Sequence, residues 1–314
     1  MSSTKSSYTI AGIGEVLWDL YHDSRHLGGA PANFAIHASQ LGDDGIVISR
    51  VGDDGMGAEL IRELERHDIR AEFIQTDRKK GTGTVLVTLD IKGIPSFRCS
   101  QDVAFDYLEL THRLRDLANN LDAVVFGTLA QRRPESHKTI IGFLGLAKSA
   151  VKVFDLNSRA DERALTPLLP DSLRVADILK MNDDELNLLR RVLRRDGDSV
   201  ERFVQYLIDE HDLKLVVITF GSAGCWLFDA SGKNCRWPGY QIEVVDTTGA
   251  GDAFLAGLVH EYLRSASLEA VAEFASLFGA FLCTRKGATA RFTLAELEDF
   301  KRTAVAKTIK EIQK

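Results

Sequence analysis

Cysteine is scarce in this 314-residue sequence, and its four copies, Cys99, Cys225, Cys235 and Cys283, include no closely spaced pair. That spacing excludes the common zinc modules and makes reduced core thiols the expected state, as in a cytoplasmic protein. Proline is sparse too, at 6 residues, and no Pro/Gly-rich linker, tandem repeat or low-complexity segment divides the chain. No apolar run approaches the length of a membrane span. The polar start, Met-Ser-Ser-Thr-Lys-Ser-Ser, lacks the apolar centre of a signal peptide. Positive charge does not dominate: 39 Lys and Arg face 45 Asp and Glu, for a formal net charge of −6. General binding to nucleic acid or to an anionic membrane is therefore not expected. Two nucleotide-binding signatures are missing as well. There is no G-x-x-x-x-G-K-[ST], which excludes a P-loop enzyme. The first strand carries no G-x-G-x-x-G, which disfavours a dinucleotide-dependent dehydrogenase.

What is present is an ordinary globular composition, 45% hydrophobic and 27% charged, long enough for one large α/β domain or two smaller ones. The chain is organised around Val244-Val245-Asp246-Thr247-Thr248-Gly249-Ala250-Gly251-Asp252-Ala253-Phe254. This reads as a strand end, a glycine turn and the start of a helix over about 250–263. Gly249 and Gly251 allow a tight turn and close approach of a ligand. The free N–H groups and positive end of the helix make the turn a ready anion site. Asp252 falls in the first helical turn, either complementing the dipole or serving as a base beside a phosphoryl group.

A second stretch, Gly28-Gly29-Ala30-Pro31-Ala32-Asn33-Phe34-Ala35, opens another helix that stops at Gly42. Pro31 in the first turn loses no needed hydrogen bond, and Asn33 offers both a donor and an acceptor. Asp19 interrupts the apolar run Val16-Leu17-Trp18-Asp19-Leu20 after the opening strand. It reads equally as a turn residue or as an acceptor for substrate hydroxyls. Between 81 and 107 the βα alternation breaks. Thr84–Asp90 and Pro95–Cys99 read as an antiparallel hairpin, a small sheet inserted into an otherwise parallel one. Asp155-Leu156-Asn157-Ser158-Arg159 follows a strand at its C-terminal end, where open α/β sheets bind ligands. Asn182 followed three residues later by Glu185 is a helix-capping pattern. A strand over 215–219 ends in Phe220-Gly221-Ser222-Ala223-Gly224 and turns into a further strand. Thr293-Leu294-Ala295-Glu296 is a capping box for the last helix.

These segments resemble the ribokinase-like (PfkB) carbohydrate kinases over nearly the whole chain. D-T-T-G-A-G-D-A-F resembles the C-terminal signature of that family, and G-G-A-P-A-N-F-A resembles its other signature, G-G-x-x-A-N-x-A. The resemblance implies a single domain, 1–314, of three-layer α/β/α architecture with a mostly parallel central sheet. It also implies a β-sheet lid from about 15–35 and 82–107, and a homodimer formed through that lid. It makes Asp252 the catalytic base and the Gly249, Ala250 and Gly251 amides the anion hole. Sugar contacts carry over to Asp19, Gly28, Gly29 and Asn33, with Gln131, Phe97 and Arg98 as further candidates in a loop and in the lid. A surface role for Arg98 and a packing role for Phe97 stay open.

The nucleotide side, by the same resemblance, takes Asn157, Lys180, Asn182, Thr219, Gly221, Gly224, Gly249, Gly251 and Ser276. ATP and Mg²⁺ are the implied co-substrate and cofactor, with Glu185 acting on the metal through water. Asp246, Thr248 and Gly287 match a monovalent-cation loop. Arg291, standing where ribokinases have a small hydroxyl residue, departs from that pattern and weakens the case for potassium. Ser276 stands where Asn or His is common. Among members of the family, G-E-V-L-W-D, V-A-F-D and D-L-N-S-R are most similar to fructokinases. A 2-keto-3-deoxygluconate or ribose kinase is the alternative, and a catalytically silent sugar- or nucleotide-binding regulator is the reading from another class.

Overall fold

The protein is described here by a computed structural model covering residues 5–89, 95–158 and 162–306. A nine-stranded sheet forms its centre. From one edge to the other, its strands run Asn234–Pro238, Gly224–Asp229, Leu215–Thr219, Ile178–Asn182, Val151–Asp155, Ala123–Phe126, Thr9–Ile13, Asp44–Gly52 and Ile74–Asp77. Pairing is parallel from Leu215–Thr219 to Ile74–Asp77, and the two strands at the other edge are antiparallel.

Strand periodicity explains the layers. Val124 and Phe126 join the apolar cluster of one face with Phe143, Phe154 and Phe203. Their alternates Ala123 and Val125 join the cluster of the other face with Phe34, Phe278 and Phe281. Both faces of the central strands are therefore buried, which is why these segments read as continuous apolar runs. The helices Ala30–Gln40, Ala250–Leu263 and Leu268–Cys283 cover the second face. All four cysteines are free, and burial pushes the Cys225 thiol up to about 12. Among the described residues, no helix is long and apolar enough to cross a membrane.

A second, four-stranded sheet runs Arg25–Gly28, Leu17–Leu20, Gly83–Leu89 and Pro95–Cys99. It contains the expected hairpin, with Val85 opposite Cys99 and Leu86 opposite Arg98. The strands of this sheet lie within 17–28 and 83–99. Residues 30–35 belong to the Ala30–Gln40 helix, because Pro31 and the alanines after it continue into a helical run. Residues 90–94, at the hairpin tip, lie outside the described residues. Arg132 fastens this sheet to the body by donating to both carboxylate oxygens of fully buried Asp106 (2.6 and 2.8 Å) and to the Ser100 carbonyl (2.7 Å).

The order of strands reverses at Thr9–Ile13. From there the chain first builds outward through Asp44–Gly52, then returns to Ala123–Phe126 on the other side. A crevice at the C-terminal ends of those two strands is where an open α/β sheet receives its ligand.

Candidate active site

Residues from five elements meet at that crevice. A small cavity there is lined by Glu15, Pro31, Thr128, Asp155, Asn157 and Leu255, among others. Glu15 follows the first strand, Thr128 the Ala123–Phe126 strand, and Asp155 closes the Val151–Asp155 strand.

Asn33, in the first turn of the Ala30–Gln40 helix, donates through Nδ2 to Asp252 Oδ2 at 2.8 Å. Both residues are buried. The two signatures, more than two hundred positions apart, are thus joined by one hydrogen bond. The Asn33 side-chain oxygen Oδ1 is buried without a partner, which is costly unless a ligand donor reaches it.

Gly249 caps the Ala250–Leu263 helix at φ 77°, a left-handed conformation suited to glycine. A methyl group there would stand 2.6 Å from the Ala288 carbonyl oxygen. Within this turn the Ala250 N–H donates to the Thr247 carbonyl at 3.2 Å. Of the three amides expected to form the anion hole, that of Ala250 thus has a partner within its own turn. Lys180 stands beside them, its Nζ 3.4 Å from where a Gly251 side chain would begin.

Lys180 Nζ also lies 3.0 and 3.1 Å from the two oxygens of Asp155. Burial pulls the Lys180 ammonium down, but Asp155 and then Glu185 outweigh that and raise it above its usual value. Glu185 caps and is capped. Its Oε2 accepts from Asn182 N–H, Asn182 Oδ1 accepts from Glu185 N–H, and Glu185 Oε1 accepts from Ser158 N–H. Burial, then the Asp155 charge, raises the Glu185 carboxyl. Among the described residues no three His, Cys, Asp or Glu side chains converge to hold a metal directly. Both Asp155 oxygens face the Lys180 ammonium and both Glu185 oxygens accept backbone N–H groups, so a hard cation here would be held through water and the ligand's own phosphates. Arg159 lies outside the described residues.

On the lid, Asp19 stands over Gly28, where a methyl group would lie 2.4 Å from Asp19 Oδ2. Gly28 is thus the space that the carboxylate occupies. Asp19, Val85 and Cys99 share the inner face by register, whereas Leu20, Leu86 and Arg98 share the outer one. Arg98 therefore lies on the face opposite Asp19, which favours the surface role left open for it. The Phe97 side chain lies outside what is described.

Gln131, another expected contact, is enclosed by protein groups. It is 1% exposed, and its amide is engaged by the Gly127 carbonyl (2.8 Å), His137 (2.9 Å) and Ser172 (3.2 Å), facing the interior and not a ligand. Ser276 is buried and bonded to Cys225 Sγ at 3.3 Å, so its hydroxyl serves helix–sheet packing instead of lining an open adenine pocket. Thr219, Gly221 and Gly224 lie at the end of the Leu215–Thr219 strand and the turn after it. Asp246 bridges two loops, accepting from Thr248 N–H and Gly287 N–H, each at 2.9 Å. The three expected cation-loop positions are thereby neighbours.

Glu15 was not among the expected site residues. It is 5% exposed and its Oε2 has no partner. Burial, with the Asp252 charge adding to it, pushes its carboxyl up to about 7 against the pull of the Glu15 and Ala30 backbone N–H groups. The sequence signal was present, a charge inside an apolar run, but Asp19 carried the same signal four positions later.

With this geometry in place, comparison with known proteins is informative. The family model for "pfkB family carbohydrate kinase" matches residues 14–294. A sugar kinase of Pyrococcus horikoshii, described as uncharacterized, is 34% identical, with 89% of this chain and 91% of that one covered. Its solved structure superposes with a TM-score of 0.80 over 97% of this chain and 99% of that one, and a second structure of it is a complex with ATP. A fructokinase of Escherichia coli is 31% identical over 92% of this chain and 98% of its own. An ATP-dependent 6-phosphofructokinase of Thermoanaerobacterium thermosaccharolyticum is 30% identical over 83% of this chain and 85% of its own.

Proposed function

The chain belongs to the pfkB family of carbohydrate kinases, and from that premise we propose that it transfers the γ-phosphate of ATP to a primary hydroxyl of a free sugar, with fructose the first candidate. The observation that carries this reading is the buried Asn33–Asp252 pair at the start of the glycine-turn helix. Asn33 orients one oxygen of Asp252, and its own unpartnered Oδ1 suits a sugar hydroxyl. Asp252 takes the proton of the attacking hydroxyl. The hydroxyl oxygen then bonds to the γ-phosphorus while the bond to the β-phosphate oxygen breaks and ADP leaves. The Gly249 and Gly251 amides and the Lys180 ammonium stabilise charge on the transferring group. Asp19, on the inner face of the lid, holds sugar hydroxyls, and lid closure keeps water from competing.

Asn157, Asn182, Thr219, Gly221 and Gly224 form the nucleotide side in this proposal, with Glu185 ordering metal-bound water. Bound Mg²⁺ supplies neutralisation of the triphosphate. Asp246, Thr248 and Gly287 frame a place for a potassium ion. The free thiols suit the reducing cytoplasm. The proposed assembly is one catalytic domain that pairs as a homodimer through the lid. Fructokinase and 6-phosphofructokinase relatives stand at nearly equal identity, so the substrate rests on a few pocket contacts.

The test is ATP consumption with Mg²⁺, with and without K⁺, against fructose, ribose, 2-keto-3-deoxygluconate, fructose 6-phosphate and adenosine. Turnover with a free sugar, reduced roughly a thousandfold or more in Asp252→Ala, is the expected result. Turnover unchanged in that variant removes Asp252 as the base. Silence on every sugar favours a binding protein without catalysis.

A further inference from the structure

The Ala30–Gln40 helix is buried along most of its length, yet three of its four polar residues, Asn33, His37 and Gln40, stand at i, i+4 and i+7. That spacing places them on one stripe. Each reaches across to the same neighbouring structure. Asn33 donates to Asp252. His37, 0% exposed, places Nε2 2.9 Å from the Ala288 carbonyl oxygen, which accepts from the tautomer protonated there. Gln40 donates to the Ala290 carbonyl at 3.3 Å. Ala288 in turn is the residue against which Gly249 packs, with no room for a methyl group between them. Gly287, its neighbour, is tied to Asp246 at the front of the glycine turn. The His37 ring also meets Phe278 edge-on at 5.7 Å. Its Nδ1 lies 3.3 Å from Gln40 Oε1, so a neutral ring, which burial favours by pushing the imidazole down to about 4, has one N–H for two facing oxygens, and the shorter distance assigns it to Ala288.

We propose that His37, assisted by Gln40, is a positioning residue for phosphoryl transfer, registering the anion-hole turn against the helix that carries Asn33. The inference rests on the proposed roles of Asp252 and the glycine amides. A hydrogen bond to Ala288 fixes the surface on which Gly249 rests, and Gly249 sets the direction of the donors aimed at the transferred phosphate. Neither His37 nor Gln40 touches ATP or sugar in this scheme. Losing the bond therefore leaves ground-state binding nearly intact and misplaces groups that matter at the transition state, where an error near 1 Å costs roughly a hundredfold.

The experiment is steady-state kinetics of His37→Phe, His37→Gln and Gln40→Leu beside the wild type and Asp252→Ala, using the sugar that the wild type phosphorylates. Phenylalanine keeps the bulk and loses the donor, while glutamine restores an N–H. The expected result is a kcat reduced roughly ten- to a hundredfold in His37→Phe, with both KM values within about twofold. His37→Gln recovers most of that loss, and Gln40→Leu, at the half-buried end of the stripe, shows a smaller loss of the same kind. Wild-type kcat in His37→Phe overturns the inference. So does a loss that appears equally in both KM values and is not recovered by glutamine, since that marks a packing role only. Should His37→Phe not fold, Gln40→Leu decides by the same split between kcat and KM. A wild type without turnover refutes the proposed reaction itself, a different outcome from an active wild type that is indifferent to His37.

Discussion

Glu15 is a carboxylic acid in a place that favours the neutral form. Its folded value of about 7 lies above the ordinary 4.5, so the folded protein keeps a proton that the unfolded chain releases. Stability contributed by this proton is full below about pH 4.5 and is lost as pH rises to about 7, amounting to roughly 3 kcal/mol for a group this buried. Glu15→Gln keeps the shape and cannot ionise. Urea unfolding of both proteins at pH 5 and pH 8 should show the variant gaining on the wild type at the higher pH. An unchanged difference between them would mean that Glu15 is ionised in the fold. At this scale the sequence was legible where a residue belongs to a long signature, as with Asn33, Gly249 and Asp252. It was not legible where direction depends on neighbours far along the chain. Gln131 faces Ser172 and His137, Ser276 faces Cys225, and Arg98 is turned outward by a hairpin register that its own segment does not reveal.

The capping box of the Asp183–Val192 helix is an element with two readings, and one pair of variants separates them. Asn182 and Glu185 satisfy each other's backbone N–H groups, so Asn182→Ala should cost about 1 kcal/mol of stability. Serine is as good a cap as asparagine, so Asn182→Ser should unfold like the wild type. If Asn182 also orders the water and phosphates of the nucleotide side, the serine variant still loses roughly tenfold in kcat/KM for ATP. Normal kinetics with normal stability would leave Asn182 as a cap alone. Most elements around the site were readable because apolar runs, caps and glycine turns coincide there. The strands Ile74–Asp77 and Asn234–Pro238 were not. Both lie at sheet edges, where one side faces water and polar residues such as Gln75, Thr76 and Asn234 hide the pattern. The passage from Thr9–Ile13 to Leu17–Leu20 was hidden differently, since an apolar run continues while the chain changes sheets at Gly14, with φ at 150°.

On the scale of the whole molecule, the four-stranded sheet proposed as the lid has two faces with different surroundings. The inner face holds Asp19 and the buried Val85 and Val87 against the body. The other face packs Trp18, Leu20 and Leu27 beside the Gly55–Arg66 helix and leaves Thr84, Leu86, Thr88 and Arg98, of which Leu86 alone is a large apolar side chain that is well exposed, at 44%. A dimer formed through that exposed part would be polar with one apolar anchor. Such an interface needs roughly 600 Å² or more from each subunit, so Leu86 would sit near its centre, where truncation or charge is felt most. Light scattering at micromolar concentration should then read twice the 34.7 kDa chain mass for the wild type and a single chain for Leu86→Glu. Kinetics of the two at equal concentration add the functional half. Because Asp19 lies on the opposite face of the same sheet, loss of the dimer would loosen the lid and raise the sugar KM more than the ATP KM. A wild type that scatters as a monomer removes the dimer, and the Arg132–Asp106 pair is then what restrains the lid, from its body side.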